Sequence, residues 1–230
     1  MRTRLTRPLG RLTGAVALGA ALGLAATGPA AAGRQGAKPD ATPPCGPTCA
    51  SYYVQKYGQQ FVLNDFRGHR RTGTPIILFP ASNSDKHEDW IIWPAGSVRR
   101  LAAFGLVSRA LAFHYGADQA FEIQYAPYGV GSGQCAGTGR AAASGEQVSL
   151  QWCGRSARTI WVADTADEAG GYVPLIAGSD TDFSDPQVLT EPRYPMNASR
   201  PALITGRLQT FTQGPVYDDQ MWDNTLGVLP

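Results

Sequence analysis

The sequence predicts an all-β protein, and three observations carry that expectation. Short apolar runs alternate with turns rich in Gly, Asn, Asp and Ser, at the roughly 8–12-residue spacing of a sandwich or barrel. One order of parts recurs three times: a short strand, a polar loop, an apolar strand, a second loop, then a strand carrying a tryptophan. A single stretch, 97–109, has helical spacing, with Val98, Leu101, Ala102 and Leu106 on one face and Gly105 as its weak point.

The chain opens on Arg2, Arg4, Arg7 and Arg11, then an apolar run over 12–26, a Gly28-Pro29 break and Ala30-Ala31-Ala32. Cationic, apolar and small-residue regions in that order form a secretory signal peptide, with cleavage expected after Ala32. The apolar run is about 15 residues, short of the ~20 that a spanning helix needs, and no later stretch is long enough to cross a membrane. Residues 33–48, rich in Gly, Ala and Pro, read as a disordered linker. Residues 49–230 are the expected domain.

The leader holds four of the 20 Lys and Arg and none of the 18 Asp and Glu, so the exported chain carries 16 against 18, about −2. That balance gives no basic patch for nucleic acid. Four cysteines in an exported chain point to two bridges with three possible pairings. Locality favours Cys45–Cys49 with Cys135–Cys153. A metal site is the rival, but zinc favours tighter spacing with histidine nearby, and His69, His87 and His114 show no such grouping.

Strands are expected at 60–63, 75–79, 89–93, 111–115, 121–125, 147–152, 159–163, 172–176, 188–189, 202–204, 208–211 and 220–222. His114, inside the alternating run 111–115, reads as structural. The first repeat runs from Phe61-Val62-Leu63-Asn64 through 73–79 to Glu88-Asp89-Trp90. The second runs from Gly133-Gln134-Cys135 through 145–153 to Thr159-Ile160-Trp161. The third runs from Val188-Leu189-Thr190 through 201–204 to Asp219-Gln220-Met221-Trp222. No such unit buries its apolar face alone, so the three must share one core.

This grammar resembles the ricin-type β-trefoil, the ricin B-like lectin domain with Gln-x-Trp repeats. The third copy keeps the motif as Gln220-Met221-Trp222, and the others keep the tryptophan. In the second, Cys135 and a cysteine 18 residues on match the pair that bridges two strands of a repeat in that family. The tryptophans are 71 and 61 residues apart, so long insertions are expected. The resemblance implies a pocket per repeat, made of an acid after the first strand, an aromatic ending the second and polar residues before the tryptophan. In the first repeat these are Asn64 or Asp65, Phe79, and His87 with Glu88. In the second, Gly137 stands where an acid is wanted, before Arg158-Thr159, and the pocket reads as lost. In the third they are Glu191, Asp219 and Gln220, with Tyr194 or Tyr217 as the ring. The tryptophans themselves read as core.

Catalytic patterns are absent. The acids Asp164, Asp167, Glu168, Asp180, Asp182 and Asp185 offer no distinguishable pair for glycoside hydrolysis. There is no Gly-x-Ser-x-Gly elbow, no phosphate loop and no cofactor motif. The expected role is therefore a secreted, monomeric, non-enzymatic protein that binds extracellular glycan or polysaccharide. The alternatives are a trefoil that binds protein, as inhibitor or surface-interaction factor, and an unrecognised glycoside hydrolase.

Overall fold

In the computed structural model, the described residues are 49–82, 84–154, 156–181, 185–192, 202–209 and 216–227. The expected signal peptide and linker, with Cys45, Asp182 and Tyr194, lie outside them. Twelve strands form among the described residues: β1 (Tyr52–Val54), β2 (Phe61–Asp65), β3 (Ile76–Pro80), β4 (Trp90–Ser97), β5 (Gln119–Tyr125), β6 (Gln134–Thr138), β7 (Val148–Trp152), β8 (Ile160–Ala163), β9 (Val173–Ala177), β10 (Gln187–Thr190), β11 (Ile204–Arg207) and β12 (Met221–Asn224).

Pairing sorts them into a ring of six and three hairpins. Strands β1, β12, β9, β8, β5 and β4 pair in sequence. The Ala50–Trp90 bridge then returns to the start of β1, so the six close into a barrel with no open edge. The other six form antiparallel hairpins, β2–β3, β6–β7 and β10–β11. These meet at one end through bridges Pro75–Ser149, Ile77–Ala202 and Gln147–Ile204.

The three tryptophans occupy equivalent places. Trp90, Trp161 and Trp222 are fully buried in one cluster with Leu63, Phe121, Leu150, Leu175 and Leu189. Each indole N–H donates to a main-chain carbonyl of its own hairpin: Leu63 at 3.1 Å, Ala136 at 2.9 Å and Leu189 at 2.8 Å. A buried indole needs such an acceptor, and the hairpin supplies it. Cys135 and Cys153 are bridged, with Cα atoms 5.1 Å apart, joining β6 to the residue after β7. Cys49 is also disulfide-bonded, and there is no free cysteine among the described residues. Closing an 18-residue loop is worth about 3 kcal/mol in the chain-entropy account. The Cys135→Ser/Cys153→Ser double variant should lose about that much in urea unfolding, and peptide mapping of the wild type should recover the bridge.

The expected helix over 97–109 is two shorter ones, α1 (Val98–Ala103) and α2 (Arg109–Tyr115). Ser97 and Ser108 cap them, accepting from the N–H groups of Arg100 and Leu111. Gly105, at φ +70°, ends α1: its N–H donates to Ala102 O and that of Leu106 to Leu101 O, the Schellman arrangement. The strand expected over 111–115 is therefore wrong, and His114 is an exposed helical residue. Val107, Leu111 and Tyr115 recur at helical spacing and pack on Val162, Ile176 and Val188, while Phe113 points outward. Alternation over so few residues fits both periods. Residues 208 and 209 also lie outside β11. Among the described residues, no helix is long and apolar enough to cross a membrane.

Candidate functional site

The indole–carbonyl bonds align the repeats residue by residue. Two positions beyond Leu63, Ala136 and Leu189 stand Asp65, Thr138 and Glu191. Two positions before the tryptophans stand Glu88, Thr159 and Gln220. The counterpart of Asp65 and Glu191 is thus Thr138, not Gly137. Gly137 has its own reason: a Cβ there would lie 2.5 Å from Arg158 O, so the backbone approach admits no side chain. In the same repeat the Thr138 hydroxyl donates to Arg140 O at 2.6 Å, and Arg158 donates to Gly139 O at 2.6 Å.

The first repeat gathers a polar cluster around its tryptophan. Asn64 Nδ2 donates to Asp85 Oδ2 at 3.0 Å, and His87 N–H donates to Asp85 Oδ1 at 2.9 Å. His87 Nδ1 pairs with the Tyr125 hydroxyl at 2.7 Å. Asp65 lies fully buried beside that hydroxyl, with no hydrogen bond of normal geometry to either oxygen. Burial pushes its pKa up to about 6, against the opposing pull of Tyr125 and Arg70. Glu88 Oε2 accepts the Ser82 N–H at 3.0 Å, but Oε1 is buried without a partner. Burial raises Glu88 to about 7, with Asp85 and Asp89 adding to the shift and the Ser82 bond opposing it. Burial pulls His87 down from its ordinary value.

The His87 ring rests directly on Gly68. A Cβ at that glycine, where φ is +66°, would sit 2.3 Å from His87 Cε1. Gly68→Ala should therefore strain the backbone and displace the imidazole. Loss of the Tyr125–His87 contact in NMR spectra, with a melting point lowered by several degrees, is the expected result.

In the third repeat, Glu191 is buried and ion-paired with Lys56 at 2.8 Å, while its N–H donates to Asp219 O at 2.9 Å. Burial raises the Glu191 pKa, with Lys56 opposing. Gln220 is fully engaged. Its Nε2 donates to Arg207 O at 2.7 Å and Thr190 Oγ1 at 3.1 Å, and its Oε1 accepts the Gln209 N–H at 2.8 Å. It staples the hairpin to the tryptophan strand. Asp219 is buried, and Tyr217 is half-buried with its N–H on Gln209 O at 3.0 Å. Phe79 is half-buried on β3 opposite Val62.

Asp65 and Glu191 thus occupy equivalent places, and Glu88 and Asp219 stand just before their tryptophans, but all four sit beneath the surface. Three of the acids considered for hydrolysis hold structure too, while Asp167 and Glu168 are exposed. Asp164 caps the 165–167 turn and accepts from Tyr115, Asp180 accepts the Gln187 N–H at 2.7 Å, and Asp185 pairs with Arg207 at 2.7 Å.

Beside the first repeat's polar cluster stands an exposed ring that the sequence did not signal. Tyr128 follows Pro127 in a turn after β5, at φ +60°, a conformation few non-glycine residues adopt. Its N–H donates to Asp89 Oδ2 at 3.0 Å, and its hydroxyl accepts from Lys86 Nζ at 2.7 Å. The ring is 62% exposed. Tyr128 therefore stands beside the 85–88 turn that carries Asp85 and His87.

No family model matches the sequence, and no curated relative does either. Solved structures do. The designed 3-fold symmetric protein ThreeFoil aligns with 77% of this chain and 97% of its own, at 14% identity and a TM-score of 0.51. The closed barrel, the hairpin triplet and this match to a threefold protein agree. The chain folds as a β-trefoil. The exo-β-1,3-galactanase of Clostridium thermocellum aligns with 77% of the trefoil chain at 12% identity and a TM-score of 0.52. The trefoil spans 30% of that longer protein.

Proposed function

We propose that this β-trefoil is a secreted, non-catalytic, lectin-like protein that binds extracellular glycan through its first repeat. The observation that carries this reading is the exposed Tyr128 ring, held beside Asp85 and His87 by Lys86 and Asp89. A sugar stacks its C–H face on such a ring while neighbouring polar atoms take its hydroxyls. Asp85 suits the second task. Each of its oxygens already accepts one bond, and a carboxylate oxygen has room for another. Lys86 can leave the Tyr128 hydroxyl and donate to the ligand instead.

A glycan array probed with purified residues 33–230, followed by calorimetry on the hits, tests this. Removing an anchoring tyrosine costs about 2 kcal/mol of binding, more than tenfold in Kd. Tyr128→Ala should show that loss with an unchanged melting point. An array without hits, or a Tyr128→Ala protein that binds like wild type, would defeat the reading.

A further inference from the structure

The junction of the first two repeats departs from the threefold pattern. β4 runs eight residues where β8 and β12 run four, and α1 and α2 follow it. The turn at Gly105 sets Leu106 back beside Leu101. With Trp93, Pro94 and Ala95 of β4 and Ile160 of β8, these residues wall a cavity of about 210 Å³. Its polar lining is Glu122, Gly154 and Ser156. Trp93 is 56% exposed.

Glu122 is the unusual member, because it is only 5% exposed. Its Oε1 accepts the Gly154 N–H at 2.7 Å and the Thr159 hydroxyl. Both bonds go to the same oxygen, and among the described residues nothing bonds Oε2. The nearby Cys135 and Cys153 are bridged, so they offer no thiolate with which to build a metal site.

We propose that this cavity receives a lysine or arginine side chain of a protein partner, with Glu122 as its counter-ion. An anion among apolar walls is stable only when paired, and Glu122 Oε2, which no described residue bonds, suits a cationic donor. Trp93 favours a cation over its face. Leu101, Leu106 and Ile160 suit the methylene stem of a long basic side chain, which buries its carbons and keeps its charge at the tip. A sugar ring fits worse, since most of its hydroxyls would lose water against carbon. The site shares no residue with the glycan site, so each reading stands or falls alone.

The test is an NMR titration of the ¹⁵N-labelled exported chain with the peptides acetyl-Leu-Lys-Leu-amide and acetyl-Leu-Arg-Leu-amide. The control replaces the basic residue with norleucine. The amides of Leu106, Glu122 and Gly154 should shift saturably with at least one basic peptide and stay put with the control. Glu122→Gln keeps an oxygen for Gly154 and Thr159, so the fold should persist while binding weakens at least tenfold. Trp93→Ala should weaken it as well. Equal binding by the norleucine peptide, a Glu122→Gln protein that binds like wild type, or no shift at millimolar peptide would each overturn the proposal. Shifts with glucosamine but with neither basic peptide would also overturn it, and would assign the cavity to an amino sugar.

Discussion

Replacing Trp222 by Ala should bring the domain to the edge of unfolding, while the same change at Trp93 leaves it folded. Trp222 is fully buried, flanked by Val54 and Val173 in register, with its indole N–H on Leu189 O. Truncating a buried tryptophan costs roughly 3–5 kcal/mol. The stranded Leu189 carbonyl adds about 1–3 kcal/mol. A domain of this kind holds about 5–15 kcal/mol in all. Trp222→Phe separates the contributions, because it keeps most of the packing and loses the hydrogen bond. Urea unfolding followed by circular dichroism should rank the proteins as wild type and Trp93→Ala, then Trp222→Phe, then Trp222→Ala. A loss under about 1.5 kcal/mol for Trp222→Ala would mean that the third repeat does not share the core.

What could be read from the sequence followed the strength of the local constraint. A buried tryptophan repeated three times, each time after a strand–loop–strand, leaves few alternatives, and the barrel followed. The cysteine pair across β6 and β7 is a local constraint of the same kind. The run 111–115 failed because its alternation is short, and Ser108 as a helix cap competes with it. The acids of the candidate site were legible as residue types but not as buried groups. Lys56, which neutralises Glu191, is 135 residues away in the chain. Tyr128 gave no signal, since its exposure depends on a left-handed backbone and on partners from a different turn. Glu122 gave none either: its cavity exists because Gly105 ends α1 early and places Leu106 against it.

Raising the pH from about 4 to about 8 should cost the wild-type protein stability that Glu88→Gln retains. The third repeat shows what the position is built for. Gln220 accepts one main-chain N–H through Oε1 and donates through Nε2 to Arg207 O and Thr190 Oγ1. In the first repeat the corresponding groups belong to Pro80 and Asn64 by strand register. Glu88 keeps the accepting half, from Ser82, but ionised Glu88 has nothing to donate, and Oε1 is left buried without a partner. A protonated Glu88 restores the donor, and burial raises its pKa from 4.5 to about 7. The folded state thus holds a proton that the unfolded chain has released. The stability is full below the unfolded value and is lost as pH rises through the folded one. A shift of this size corresponds to a loss on the order of 3 kcal/mol. Asp65, raised from 3.8 to about 6, acts in the same direction at a lower pH. His87, lowered by burial, acts in the opposite direction and favours the folded state as the imidazole loses its proton. Comparison with Glu88→Gln cancels both contributions. The two proteins should unfold alike near pH 4, diverge as pH rises from about 4.5 to about 7, and keep a constant difference above that, the variant being the more stable. Parallel stability curves over that range would show that Glu88 stays ionised inside the fold, and that the first repeat does not mimic the amide of the third.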